Sequence, residues 1–390
     1  MRPELGYAPP LRDLVPIAAR VGDEVAAPAA ADVDRKARFP FETFDALRRE
    51  RMLSLLIPED LGGSGSRLTE VARAVETLAR YCGSSGLIYA MHHIQIASLV
   101  RHGKTKWAKN YLRTIAEQEL LLASATTEVG TGGDVRASLC AIETVDERFT
   151  LRKQAPVISY GRQSDCVLAT ARRMPDSPAS DQVLVALPAS SFELEQTSEW
   201  NTLGFRGTCS DGFILTAEGH TEQILSDPFA DISAKTMLPT THVLWASVWL
   251  GIASRAVATA RTYLRAEARK NPGTMPPASI RVAELVGSLE QLASLVHGAA
   301  RDYEEALDDD EVLTSMRFAI RMNALKTSAS TLLVDIVGRA LTICGMAAYS
   351  EVSPYSLGVA LRDSYGAALM IHNDRIYANT AQMLLVHKDG

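Results

Sequence analysis

Hydrophobic positions along this chain change their period twice. Leu68, Val71, Ala72, Val75, Leu78 and Ala79 recur three and four residues apart, the spacing of one helical face, just after the turn Leu61-Gly62-Gly63-Ser64-Gly65. Phe44 to Leu56, Ile88 to Val100 and Trp107 to Gln118 read the same way, so residues 1–124 are expected to form an all-α domain. From Thr126 to about Asp231 the runs become short and alternating: Phe149-Thr150-Leu151, Val167-Leu168-Ala169, Val183 to Leu187, Phe192-Glu193-Leu194-Glu195 and Phe213-Ile214-Leu215. Gly, Asp, Ser and Pro separate them, and no helical stretch intervenes, so residues 125–232 predict an antiparallel β-barrel or sandwich. Helical spacing returns beyond Leu238. Leu244, Val248, Ile252 and Ala256 mark one stripe and Leu285, Leu289, Leu292 and Val296 another; Leu325 to Leu341 and Leu369 to Val386 complete about four long helices. The expected fold class is α+β multi-domain, closed by a C-terminal four-helix bundle over 233–390.

Composition narrows this picture. The 390 residues are 47% hydrophobic and 22% charged, close to an ordinary globular protein and far from disorder. A net charge of -6 argues against nucleic acid or an acidic membrane as partner. Met1-Arg2-Pro3-Glu4 leads into a Pro-rich segment rather than an apolar run, so no secretory signal and a cytoplasmic location are expected. The longest apolar stretch, Val243 to Ala253, is too short to cross a bilayer and reads as a buried helix. Five scattered cysteines contain no C-x-x-C pair, and no two histidines stand four apart on a helix, so neither a disulfide framework nor a metal site is expected. Asp308-Asp309-Asp310-Glu311 reads as a solvated turn.

Several short motifs then align in order. Ala125-Thr126-Thr127-Glu128-Val129-Gly130-Thr131-Gly132-Gly133-Asp134 resembles the T-E-P-G-A-G-S-D signature of the acyl-CoA dehydrogenase superfamily of flavoproteins, at the helical-to-β junction. Leu151 to Gly161 is similar to its L-N-G-x-K-x-W-I-T-N-G strand, and Leu203-Gly204-Phe205-Arg206-Gly207-Thr208 to its M-G-x-R-x-T/S turn. Arg269 to Gly273 stands where the family has R-x-x-F-G. Ile343 to Tyr349 and Arg362-Asp363 stand at its I-H-G-G-x-G-Y and R-D segments. The resemblance implies FAD, or FMN in the monooxygenase branch. It implies Thr127 and Ser159 bonding the flavin edge, Val157 and Ile158 against the ring, and Arg269 at the pyrophosphate of an FAD shared with a neighbouring subunit of a homotetramer or homodimer. Hydroxyls and main-chain donors beside apolar walls are what an isoalloxazine ring requires. Gly130, Gly132 and Gly133 serve to turn the chain; no strand-to-helix crossover supports a dinucleotide fingerprint, and NAD is not implied. Gly133 stands where the family usually has a Ser near the substrate.

The family's catalytic Glu is missing. Aligned through Arg362-Asp363 its position falls at Ile371 or His372; a second register places Ala378 there, and the alternative site on the first bundle helix falls near Thr241. Asp374 is the nearest carboxylate, one methylene shorter than Glu. His372 is the other candidate, since imidazole exchanges protons near neutral pH. The monooxygenase branch of the superfamily also lacks the Glu and often carries an H-D-P-like segment, to which His372-Asn373-Asp374 is loosely similar. His92 and Ser159 could match a His and a Ser of that branch that support a flavin–oxygen adduct. Trp245, Trp249, Met346 and Met370 either narrow an acyl pocket or fill the bundle core. The leading expectation is an FAD-dependent α,β-dehydrogenase of an acyl-CoA or carrier-bound thioester, passing electrons to an electron-transfer flavoprotein. The alternatives are a monooxygenase fed by a flavin reductase, and a catalytically silent flavin-binding homologue.

Overall fold

The computed structural model describes residues 13–270 and 272–386, so Met1 to Glu4 and Asn271 lie outside the described residues. Helices α1 (Leu14–Val21) and α2 (Ala27–Lys36) join through one wide turn, Gly22–Ala26. Gly22 is required there because a Cβ would collide with the Tyr81 ring. Helices α3 (Phe41–Arg49), α4 (Leu68–Ala79), α5 (Gly83–His102) and α6 (Lys106–Gln118) complete the first layer. Every residue of the expected α4 stripe is buried. The helix expected over 44–56 stops at Arg49, because Arg51 turns left-handed with φ 51° and its guanidinium is held by the Ala116 carbonyl at 2.8 Å.

Seven strands follow: β1 (Leu122–Ala125), β2 (Glu143–Val145), β3 (Arg148–Ala155), β4 (Cys166–Arg172), β5 (Gln182–Pro188), β6 (Phe192–Ser198) and β7 (Gly212–His220). They form two sheets, ordered β1-β4-β5 and β2-β3-β7-β6, and do not close into a barrel. β1 runs parallel to β4, a departure from the expected all-antiparallel domain; at four residues β1 is too short to announce itself by alternation. β3 alternates strictly, with Phe149, Leu151, Lys153 and Ala155 turned inward. The buried Lys153 ammonium is matched by Glu128 at 3.1 Å. The segment expected to continue as strand to Gly161 leaves the sheet after Ala155. It turns at Tyr160, whose φ is 43°.

The C-terminal third opens with α7 (Phe229–Ile232), which runs through the wide turn Ser233–Met237 into α8 (Leu238–Lys270). Then come α9 (Ser279–Glu305), α10 (Asp310–Thr314), α11 (Met316–Cys344), α12 (Met346–Tyr349), α13 (Gly358–Leu369) and α14 (Asn373–Val386). α8 packs on α9 and α11 within the bundle and on α4 and α5 of the first layer, making it the seam of the molecule. The rod 229–270 and α11 are long and apolar enough to cross a membrane, but 72% and 50% of their most apolar windows are buried against the rest of the protein. The single helix expected over 369–386 is broken at Met370 to His372, where Ile371 adopts φ 60°. The acidic run is more than a solvated turn: Asp309 caps α10, and Asp310 bonds Lys235 at 2.8 Å and Arg101 at 3.0 Å.

Candidate active site

The loop after β1 and the segment after β3 meet. The Thr127 hydroxyl lies 3.5 Å from the Val157 carbonyl, to which it donates, and both residues are half-buried. The Ile158 N–H is fixed on the Asp211 carbonyl at 2.8 Å. Its side chain is fully buried, so Val157 and Ser159, not Ile158, present their side chains at the surface of this segment. Ser159 Oγ lies 2.8 Å from Ser210 Oγ, and Ser210 Oγ 2.8 Å from Thr208 Oγ1.

The bundle adds a second group of residues. Arg375, in the first turn of α14, donates to the Gly132 carbonyl at 2.5 Å and to that of Gly133, bringing the 130–134 loop against the α13–α14 turn. Gly130, Gly132 and Gly133 all have positive φ, so the glycines turn this loop as expected. A Cβ at Gly133 would also press on the Arg375 guanidinium. Beneath the turn sits Lys326, fully buried on α11. Its ammonium donates to the Ile371 carbonyl at 2.5 Å and to Asn373 Oδ1 at 2.7 Å, and stands 5.9 Å from the Trp249 ring centroid. Burial pushes its pKa down to about 8. Asn373 is oriented by its own amide, which donates to Ser330 Oγ at 3.0 Å.

His372 precedes α14, and its Nδ1 accepts the Asp374 N–H at 3.3 Å, a helix-capping contact. In the neutral ring Nε2 therefore carries the proton and acts as a donor. Asp374 is 87% exposed, directed at solvent and away from the buried residues that a proton-abstracting carboxylate would need around it. His92 is fully buried with both nitrogens engaged: Nδ1 accepts the Leu122 N–H at 3.1 Å and Nε2 donates to the Leu53 carbonyl at 2.6 Å. Desolvation lowers its pKa to about 4. It joins α5 to the start of β1 and has no ring nitrogen left for a flavin adduct, contrary to the sequence expectation. Thr241 is likewise committed, donating to the Met237 carbonyl at 2.6 Å. Arg269 is exposed at the last turn of the 33-residue α8, roughly 40 Å along the helix from Thr241.

Two features escaped the sequence reading. His242 donates from Nδ1 to the Met322 carbonyl at 2.9 Å, burial lowers its pKa to about 4, and its Nε2 is buried without a partner among the described residues. Trp245 Nε1 and Trp249 Nε1 are unpartnered in the same way, and at spacings of three and four these three side chains share one face of α8. The second feature is Asp363, whose carboxylate accepts the Phe205 N–H at 2.5 Å and whose pKa is pushed up to about 7 by burial. Beside it, Arg362 bonds Asp34 at 2.5 Å, so the 203–208 turn and the Arg362-Asp363 pair interlock all three regions of the chain. Among the described residues no cluster of three His, Cys, Asp or Glu is placed to hold a metal ion.

The models of the acyl-CoA dehydrogenase N-terminal and C-terminal domains match residues 11–119 and 233–370. The chain belongs to the acyl-CoA dehydrogenase family. Among its relatives is the cyclohex-1-ene-1-carbonyl-CoA dehydrogenase of Geobacter metallireducens, 25% identical, with 83% of this chain and 85% of the relative covered. Among solved structures, the FMN-bound dibenzothiophene monooxygenase TdsC of Paenibacillus sp. A11-2 superposes with a TM-score of 0.84 at 18% identity, covering 97% of this chain and 98% of that one. The butyryl-CoA dehydrogenase of Megasphaera elsdenii gives 0.83 at 21% identity, covering 96% and 98%. The family is one of flavin oxidoreductases, and both branches share this fold.

Proposed function

We propose that this flavoprotein is a monooxygenase that takes up a reduced flavin, FMN or FAD, and uses O2. One observation carries the reading: Thr241, Ile371, His372 and Ala378 supply no carboxylate, and Asp374 faces solvent. Removal of an α-proton from a thioester needs a base in a desolvated setting, and these positions offer none. Reduced flavin, when bound, supplies the two electrons that let one atom of O2 enter a substrate while the other leaves as water. Thr127, Val157 and Ser159 would hold the flavin edge. His372, with Nδ1 occupied by the helix cap, offers Nε2–H as a donor, suited to hold an oxygen rather than to take a proton from carbon. Arg269, far along α8, would reach the phosphates of a flavin bound by a neighbouring subunit. Exposed Met346, Tyr349 and Leu385 on the C-terminal helices, with Val352 in the turn after α12, support association of copies into a homodimer or homotetramer. A flavin reductase is the implied partner.

A second reading, dehydrogenation of an acyl thioester with an electron-transfer flavoprotein as acceptor, is supported by the similarity to the Geobacter dehydrogenase. The test supplies chemically reduced FMN, isotopically labelled O2 and a panel of indoles and aromatic sulfides. Labelled oxygen in an organic product is the expected result; conversion of an acyl thioester to its enoyl form without O2 would replace this reading with the second.

A further inference from the structure

Three hydroxyls run inward from Ser159. Thr208 is 1% exposed and Ser210 5%, while Ser159 is half-buried, so the string opens only at Ser159. Its inner end is the Phe205 carbonyl, 2.9 Å from Thr208 Oγ1. A carbonyl has no proton to give, so Thr208 donates, and its single proton is then used. Thr208 therefore meets Ser210 with a lone pair and Ser210 must donate to it at 2.8 Å; Ser159 in turn donates to Ser210 at 2.8 Å. What remains on Ser159 is lone pairs. Reversing the string would withdraw Thr208 from a buried carbonyl whose other donors are the Thr208 N–H and Trp200 Nε1, both at 3.1 Å, and so forfeits one hydrogen bond.

We infer that Ser210 and Thr208 are positioning residues that set Ser159 as a hydrogen-bond acceptor toward the flavin edge, so that the site favours reduced over oxidised flavin. The inference rests on the flavin reading above and deepens it. The N5 atom of oxidised isoalloxazine accepts a hydrogen bond, whereas in the reduced ring N5–H donates one, so an acceptor at that edge stabilises only the reduced form. Ser210→Ala removes the group that takes the Ser159 proton, leaving Ser159 free to donate to oxidised N5 as well as to accept from reduced N5–H, which erases its preference.

The test is anaerobic equilibrium binding of FMN and of dithionite-reduced FMN to the full-length protein and its variants, read as the ratio of oxidised to reduced Kd. Ser210→Ala should lower that ratio about tenfold, the equivalent of one hydrogen bond. Ser210→Thr, which keeps the hydroxyl, should stay near the wild type. Ser159→Ala, with no hydroxyl at the edge, should lose the preference to the same extent as Ser210→Ala while binding both forms of FMN more weakly than that variant, a split that a purely structural role would not produce. A ratio unchanged within twofold in Ser210→Ala, with FMN still bound, overturns the inference and leaves the flavin reading standing. A folded wild type that binds neither form of FMN nor of FAD removes both.

Discussion

The two sides of the site are held by opposite means. On the β-domain side, Thr127, Val157 and Ser159 are placed by neutral contacts: main-chain carbonyls, strand ends and a string of hydroxyls. On the bundle side, the Ile371-His372 turn rests on one buried ammonium, Lys326, without a carboxylate in contact with it among the described residues. A neutral network tolerates the loss of a member at about 1 kcal/mol, whereas an interior charge makes its partners dependent on it. The β side is accordingly expected to be robust to single changes that retune hydrogen bonding, and the bundle side to fail around one residue.

The largest effect should follow from Lys326→Met. It strands the Ile371 carbonyl and Asn373 Oδ1, and roughly 2–4 kcal/mol of stability should be lost in urea unfolding. Unchanged unfolding would show that the two sides do not differ as described. Next, His372→Ala should reduce turnover about 100-fold while flavin content stays constant, as expected of a donor that acts on the reacting oxygen; equal turnover would remove His372 from the chemistry. Asp363, at the junction of both sides, gives a pH signature. Its folded pKa of about 7 lies above the ordinary aspartate value of 3.8, so its stabilising contribution is complete below that lower value and fades as pH rises through about 7. Asp363→Asn keeps an oxygen for the Phe205 N–H, and its unfolding free energy should vary less over pH 4–7 than that of the wild type. Parallel curves would contradict this. The smallest effect is expected of Arg375→Ala, which frees the Gly132 and Gly133 carbonyls and should weaken FMN binding by roughly fivefold, measured by fluorescence titration.

Features with a local signature were readable in the amino-acid order. The α4 stripe, the strands from β3 to β7 and the order of the three regions all follow from local period and turn residues. What escaped depends on partners distant in the chain. Lys326 looks like one charged residue in a helical stripe, and nothing near it announces Ile371, which lies beyond α13. The break at Met370 to His372 follows from a left-handed Ile371, a conformation no local propensity favours for a β-branched residue. The sequence suggests a flavin-facing role for His92 because a buried His with two main-chain partners and a His at a ligand leave the same trace in sequence. The hydroxyl string behind Ser159 is assembled from residues some fifty positions apart.

The claim on which most depends is that no residue at the family's base positions takes a proton from carbon. An anaerobic absorbance titration of the flavin-loaded protein with acyl-CoA thioesters, from butyryl-CoA to cyclohex-1-ene-1-carbonyl-CoA, addresses it directly. The flavin band should persist at every thioester concentration; bleaching of that band by any of them would contradict the account.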